Sequence, residues 1–201
     1  MKVKICGLQT STHVSVAVAA GADYLGFVFA ESRRRVTSRQ VREITTRVPK
    51  EVQKVGVFVS PTKQEVERII TKANLDLIQI HGKQPDVAFS VPVIRAYGVD
   101  GRQQQKQPVQ FPPKFLLFDA PPSSYEGGNG QPFDWQKLQL SSEEQQRCFI
   151  AGGLTSENVQ SARRQFHPYG VDVSSGVESD GQKDSKKIVM FIKKAKEELD
   201  V

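Results

Sequence analysis

The sequence is poor in cysteine and contains no long apolar run. Its two cysteines, Cys6 and Cys148, show neither the C-x-x-C spacing of a redox pair nor the spacing of zinc ligands. No apolar stretch approaches the roughly 18 residues that a membrane helix needs, and the opening residues lack the apolar segment of a signal peptide. We therefore expect a cytoplasmic protein with no structural disulfide, no metal site and no membrane partner.

Positive charge exceeds negative charge but is spread along the chain. Lys and Arg total 28 against 22 Asp and Glu, a net charge of +6. A nucleic-acid-binding protein concentrates its basic residues in one patch with aromatic residues between them. Here the main clusters are residues 33–35 and the C-terminal helix. This pattern favours an enzyme for a small phosphorylated substrate, with no nucleic-acid partner, and a non-catalytic basic binding module is the alternative.

Eight short apolar segments alternate with amphipathic helical patterns. Each segment is flanked by Gly, Pro or polar residues, as buried parallel strands are, and they cover residues 3–6, 24–29, 54–59, 77–80, 93–97, 115–119, 148–151 and 170–173. Eight β/α units predict an α/β fold with a single domain over residues 1–201, a (β/α)8 TIM barrel. An open doubly wound sheet is the alternative, but it usually has fewer strands and a G-x-G-x-x-G loop after the first.

The helical segments differ in strength. Ser38, Ser60 and Thr155 precede apolar residues at helical spacing, and each is predicted to cap a helix N-terminus. After the fourth strand there is room for only about two helical turns, and the segment after the fifth is rich in Gln and Pro. We expect shortened or irregular helical units at these two places.

Polar or reactive residues stand where several predicted strands end. In a TIM barrel the active site lies at the carboxyl ends of the strands, and here those positions hold Cys6, His81, Asp119 and Asp172. Position alone does not assign roles, because a lone Cys is usually a small buried apolar residue and a His is more often structural. Cys148, inside an apolar strand, has this structural interpretation.

Alternation along the strands predicts which neighbours share the interior. If Cys6 points into the barrel, Lys4 on the same strand does so too. If Asp119 points inward, so do Phe115 and Leu117. Lys4, Arg95 and Asp172 are predicted to share the interior, where buried charges need partners.

The ends of the last two strands suggest a phosphate site. Gly152 and Gly153 follow the seventh strand, and Ser174, Ser175 and Gly176 follow the eighth. Glycines let a backbone approach an anion closely, and exposed N–H groups hold it. A Gly-Gly pair alone indicates only a turn, but TIM barrels often bind phosphate at this place.

Several runs of residues, in order along the chain, resemble the phosphoribosylanthranilate isomerase family. They are KICG at residues 4–7, GFVF at 26–29, VGVFV at 55–59, QIHG at 79–82, GGNG at 127–130, FDW at 133–135, AGGL at 151–154, ENV at 157–159, VDVSSGVE at 171–178 and GQKD at 181–184. Any one of these runs alone is weak evidence for the family, whereas the whole set in this order is specific to it. Ala120 and Gln131 depart from the family pattern.

The resemblance implies an Amadori rearrangement in tryptophan biosynthesis, without metal or cofactor. N-(5′-phosphoribosyl)anthranilate becomes 1-(2-carboxyphenylamino)-1-deoxyribulose 5-phosphate, with Cys6 as general base and Asp119 as general acid. A thiol base must lose its proton, with Lys4 as the expected helper, and an acid needs a pKa raised by apolar surroundings.

The resemblance also implies a set of binding residues. Arg34 would pair with the anthranilate carboxylate, with neighbouring Arg33 and Arg35 as alternatives. His81 and Asp172 would line the pocket, and the phosphate would lie on Gly152, Gly153, Ser174, Ser175 and Gly176. The sequence leaves open a homodimer and another phosphosugar isomerase or lyase of this fold. The histidine-pathway isomerases rely on two carboxylates, and Cys6 argues against them.

Overall fold

A closed barrel of eight parallel strands forms the centre of the molecule. The computed structural model describes residues 1–98, 110–119 and 138–198. Each strand pairs with the next along the chain, and the eighth pairs with the first. The strands are β1 Lys2–Cys6, β2 Tyr24–Val28, β3 Gln53–Val59, β4 Leu77–His81, β5 Val93–Gly98, β6 Phe115–Asp119, β7 Cys148–Ala151 and β8 Gly170–Val173. The predicted barrel is confirmed, with every strand within one residue of its predicted bounds.

Helices pack around this barrel. Within the described residues they are α1 Ser11–Ala19, α2 Ser38–Ile44, α3 Lys63–Ala73, α4 Ser142–Arg147, α5 Val159–Phe166 and α6 Ser185–Lys196. None of the described helices is long and apolar enough to cross a membrane.

The predicted N-caps of α2 and α3 were wrong by one and two residues. Thr37, not Ser38, caps α2, because its hydroxyl accepts from the Gln40 N–H. Thr62 caps α3, since Ser60 adopts a positive φ of 46° and its hydroxyl accepts from the backbone N–H of residue 83 instead.

The N-cap predicted for α5 was also wrong. Asn158 is the cap residue, without a side-chain capping bond. The Thr155 hydroxyl accepts from the Glu157 N–H one turn earlier.

The outer layer has no helix between β4 and β5. Residues 82–92 form irregular backbone, and the Glu67 carboxylate on α3 accepts from both the backbone N–H and the hydroxyl of Ser90. These hydrogen bonds hold the loop in the place where a helix would otherwise pack. The irregular segment expected after the fourth strand is therefore confirmed. The segment after β5 lies largely outside the described residues.

Alternating side chains divide the core into two layers. The barrel interior includes Phe115 and Leu117, whereas Leu116 and Phe118 pack between the barrel and the helices. This confirms the predicted alternation on β6. It is also what buried strands with two apolar faces require.

The predicted interior position of Arg95 was wrong. Ile94 and Ala96 take the inward positions on β5, and Arg95 pairs in register with Ile80 and Leu116 of the outer layer. Its guanidinium therefore leaves the interior and donates to the carbonyl of Ile80 within β4 and to that of Gly82 just after it.

Candidate active site

Cys6 ends β1 at the carboxyl mouth of the barrel. It is buried, and Gly26 on β2 lies opposite it in register. The absence of a side chain on Gly26 leaves the space that the thiol occupies. The interior below Cys6 holds Lys4, as the alternation predicted.

A buried ion pair lies beneath the mouth. Lys4 Nζ donates to Asp172 Oδ2 at 2.9 Å, and the two residues are register partners on β1 and β8. Burial lowers the pKa of Lys4, but Asp172 and Cys6 together raise it above its ordinary value, so the ammonium keeps its charge. Asp172 Oδ1 is buried with no hydrogen-bond partner among the described residues. It is an acceptor ready for a ligand hydroxyl.

Burial outweighs the cations around the Cys6 thiol. Desolvation raises the pKa of Cys6 and Asp172 adds to the rise, while Lys4 and then Lys183 lower it, and the balance stays above the ordinary value. Lys4 acts in the direction expected of a helper. The thiol of the ligand-free protein is nevertheless protonated at neutral pH.

Asp119 ends β6 and interacts electrostatically with the same Lys4–Asp172 ion pair. Burial raises the pKa of its carboxyl to about 6, with Asp172 adding to the rise and Lys4 opposing it. The shift is in the direction that a general acid needs. Roughly a tenth of the carboxyl is protonated at pH 7 with such a value.

His81 ends β4 and is held by its neighbour on the same strand. The Gln79 Nε2 lies 2.7 Å from His81 Nε2. Burial, then Lys4, lowers the imidazole pKa to about 4, so the ring is neutral at pH 7. With the Gln79 amide donating, the ring proton is on Nδ1.

Arg34 is the least exposed of the three consecutive arginines, since Arg33 and Arg35 are both exposed. A Cβ on Gly7 would lie 2.6 Å from Arg34 Cδ, so the side chain crosses directly over the residue after Cys6. Its guanidinium binds Glu178 through Nε and Nη2, at 2.6 and 2.7 Å.

The sequence did not identify Glu178 or Lys183 as site residues. They face each other across a two-stranded hairpin, β9 Glu178–Ser179 and β10 Gln182–Lys183. Its turn is Asp180-Gly181, both with positive φ. An Asp-Gly pair is a common hairpin turn, and this signal could have placed the two side chains together.

The glycine-rich loops after β7 and β8 meet at the same end of the barrel. Gly152 and Gly153 have φ of 83° and 61°, a conformation that favours glycine. A Cβ on Gly176 would lie 1.8 Å from the Leu154 carbonyl oxygen, so only glycine allows the loops to approach so closely. Ser174 donates its hydroxyl to the Cys6 carbonyl at 3.2 Å, and Ser175 begins a short 3-10 helix.

The structure thus gathers the candidate residues at one mouth. Cys6, Asp119 and His81 each interact electrostatically with Lys4 and Asp172, and Arg34 and the two loops border Cys6. The motif residues 127–130 and 133–135, together with Ala120 and Gln131, lie outside the described residues.

The chain is similar to isomerases over nearly its whole length. Residues 3–194 match the family of N-(5′-phosphoribosyl)anthranilate (PRA) isomerase. The N-(5′-phosphoribosyl)anthranilate isomerase of Streptococcus gordonii is 50% identical over 199 residues, 98% of each protein. The crystal structure of the Thermotoga maritima phosphoribosyl anthranilate isomerase superposes with a TM-score of 0.77 at 33% identity, covering 98% of both chains. A phosphoribosyl anthranilate isomerase in complex with reduced 1-(o-carboxyphenylamino)-1-deoxyribulose 5-phosphate gives a TM-score of 0.74 at 31% identity and the same coverage.

Proposed function

The chain belongs to the family of N-(5′-phosphoribosyl)anthranilate isomerases, enzymes of tryptophan biosynthesis, and we propose that Cys6 is its general base and Asp119 its general acid. The reaction converts N-(5′-phosphoribosyl)anthranilate to 1-(2-carboxyphenylamino)-1-deoxyribulose 5-phosphate. One observation carries the assignment. A thiol and a carboxyl stand at the same barrel mouth, and both interact with the buried Lys4–Asp172 pair.

The acid acts first. Asp119 protonates the ribose ring oxygen as the ring opens, and the anthranilate nitrogen forms a protonated Schiff base with C1. The raised pKa of Asp119, about 6, supports this role, because an ordinary carboxyl would hold a proton at neutral pH far more rarely.

The base acts second. Cys6 removes the proton from C2 of the Schiff base, and the resulting enolamine tautomerises to the ketone. Because the thiol pKa is raised and that of Asp119 is only about 6, the form with a thiolate and a protonated carboxyl is a minor one in the free protein. The cations Lys4 and Lys183 stabilise that thiolate when it forms.

The ends of the substrate lie on the two sides of this centre. Arg34 keeps its Nη1 donors free of Glu178 and can receive the anthranilate carboxylate. The phosphate lies against the glycine-rich loops, on Gly152, Gly153, Ser174, Ser175 and Gly176. Neutral His81 and Asp172 Oδ1, which has no hydrogen-bond partner in the described part of the chain, meet the sugar hydroxyls between them.

Genetic complementation tests the activity inside a cell, in the cytoplasm, where we propose that the enzyme acts. The chain is expressed in a bacterial tryptophan auxotroph that lacks only this isomerase, beside a Cys6→Ala variant and an empty vector. We expect growth without tryptophan from the unmodified chain alone. No growth, with the protein present at normal level in the cell extract, would contradict the assignment and leave another phosphosugar isomerase or lyase as the candidate.

A further inference from the structure

One carboxylate organises the positive charge beside the active site. Glu178 accepts from Arg34 Nε and Nη2, from Arg33 Nη2 at 2.8 Å and from Lys183 Nζ at 2.6 Å. Its side chain is only 4% exposed. Three cations on one anion leave two net positive charges, so Glu178 arranges this cluster without neutralising it.

We infer that Glu178 is a positioning residue, which holds the Arg34 guanidinium in the orientation that receives the substrate carboxylate, and this inference rests on the proposed function. Glu178 takes the edge of the guanidinium that carries Nε. An arginine has five N–H donors, so both Nη1 donors and one on Nη2, on the opposite edge, are left without a partner among the described residues. The aliphatic part of Arg34 lies over Gly7, in space that a side chain on residue 7 would fill, so the arginine passes beside the residue that follows Cys6.

Lys183 connects this arginine to the proposed phosphate loop. Its side chain is 3% exposed, and its ammonium donates to Glu178, to the Ser174 carbonyl at 2.8 Å and to the Ser174 hydroxyl at 3.3 Å. Ser174 in turn donates to the Cys6 carbonyl. The residues proposed for carboxylate, phosphate and base therefore belong to one connected network, with Glu178 at its centre.

The Glu178 carboxylate is ionised across the neutral pH range. Burial raises the pKa of Glu178, but the hydrogen bonds from Arg34 and Lys183 bring it down to about 2. Burial lowers the pKa of Lys183, and Glu178 opposes that fall. The cations that bind the Glu178 carboxylate come from two elements. Arg33 and Arg34 lie in the loop after β2, and Lys183 lies on β10. Lys187 on α6 binds the Glu178 carbonyl.

Ligand binding tests the inference without requiring catalysis. Two probes are titrated by calorimetry: reduced 1-(o-carboxyphenylamino)-1-deoxyribulose 5-phosphate, and the same compound with a phenylamino group that lacks the carboxylate. The proteins are the unmodified chain, Glu178→Gln, Arg34→Met and the double variant. Glu43→Gln is the matched control, because Glu43 pairs with Arg39 in an exposed ion pair on α2.

We expect Glu178→Gln to weaken the carboxylate probe about tenfold, the scale of one charge-assisted hydrogen bond, and the carboxylate-free probe by less than about threefold. In the Arg34→Met background the same substitution should cause no further loss, because Glu178 acts through Arg34. Glu43→Gln should bind both probes like the unmodified chain.

Two results would overturn the inference. Tighter binding of the carboxylate probe by Glu178→Gln would mean that Glu178 competes for Arg34, and equal losses for both probes would mean a general structural role. If Glu178→Gln does not fold, Glu178→Asp replaces it, because the shorter side chain keeps the charge but cannot reach Arg34 as closely. The loss of affinity in Glu178→Asp must again be larger for the carboxylate probe. If the unmodified chain itself does not prefer the carboxylate probe, the proposed role of Arg34 fails instead.

Discussion

Gly26 lies so close to Cys6 that a methyl group on Gly26 would be 2.8 Å from the Cys6 Sγ and 3.0 Å from its Cα. The two residues are register partners on β1 and β2. The place of the proposed base therefore depends on a glycine in the neighbouring strand. The motif residues 26–29 contribute space to the site as well as core packing.

Gly26→Ala should displace the Cys6 thiol. We expect kcat/KM to fall by about 10²-fold, since a shift of roughly 1 Å in a reacting group can cost this much, and the free energy of unfolding to fall by about 1–3 kcal/mol from overpacking. The control is Gly56→Ala, whose methyl would meet Leu75 Cδ1 at 2.5 Å in the outer layer. It should lower stability similarly while kcat/KM stays within about threefold. Equal losses of activity in both variants would contradict a specific effect on Cys6.

The Cys6 thiol should titrate late in the ligand-free protein. Cys148→Ala leaves Cys6 as the one cysteine of the sequence, and thiolate absorbance near 240 nm is followed as the pH rises. Because burial raises the pKa of Cys6, we expect the midpoint above the ordinary thiol value of about 8.5. A thiolate already present at pH 7 would show that the cations outweigh burial.

Asp119→Asn should stabilise the protein at alkaline pH and not at acid pH. In the unfolded chain an Asp titrates near 4, and in the folded protein Asp119 titrates at about 6. A raised carboxyl pKa makes ionisation unfavourable to folding, so the penalty is absent below pH 4, grows as the pH rises through 6 and is complete above it. Asn removes that penalty.

Denaturant unfolding at pH 4.5 and pH 8 measures this difference. The increase in the free energy of unfolding caused by Asp119→Asn should be about 2 kcal/mol larger at pH 8 than at pH 4.5. Each unit of pKa shift represents about 1.36 kcal/mol, and the total is reduced because the carboxyl is partly exposed. An equal change at both pH values would mean that the carboxyl is not held in a raised-pKa environment.

The barrel and most positions at its mouth could be predicted because a strand has a period of two residues. Once β1, β6 and β8 are recognised, the inward faces of Cys6, Asp119 and Asp172 follow from alternation. The same rule failed for Arg95, because both faces of β5 carry apolar residues and leave its phase undetermined. Here Ile94 and Ala96 take the interior.

The roles of Glu178 and Lys183 depend on contacts distant in sequence. Glu178 meets Arg34 only because the hairpin after β8 folds towards the loop after β2, and single-strand alternation contains no information on that contact. The capping errors at α2 and α3 have a local cause: Thr37 stands beside Ser38 and Thr62 close to Ser60, so each of these helices had two candidate caps within two residues.

Turnover by two single variants tests the central assignment most directly. Cys6→Ala and Asp119→Asn are compared with the unmodified chain on freshly prepared N-(5′-phosphoribosyl)anthranilate, with circular dichroism to establish that each variant is folded. We expect each substitution to lower kcat by roughly 10²-fold or more, because each removes one of the two proposed proton-transfer groups. Near-normal turnover by both folded variants would contradict the roles of base and acid.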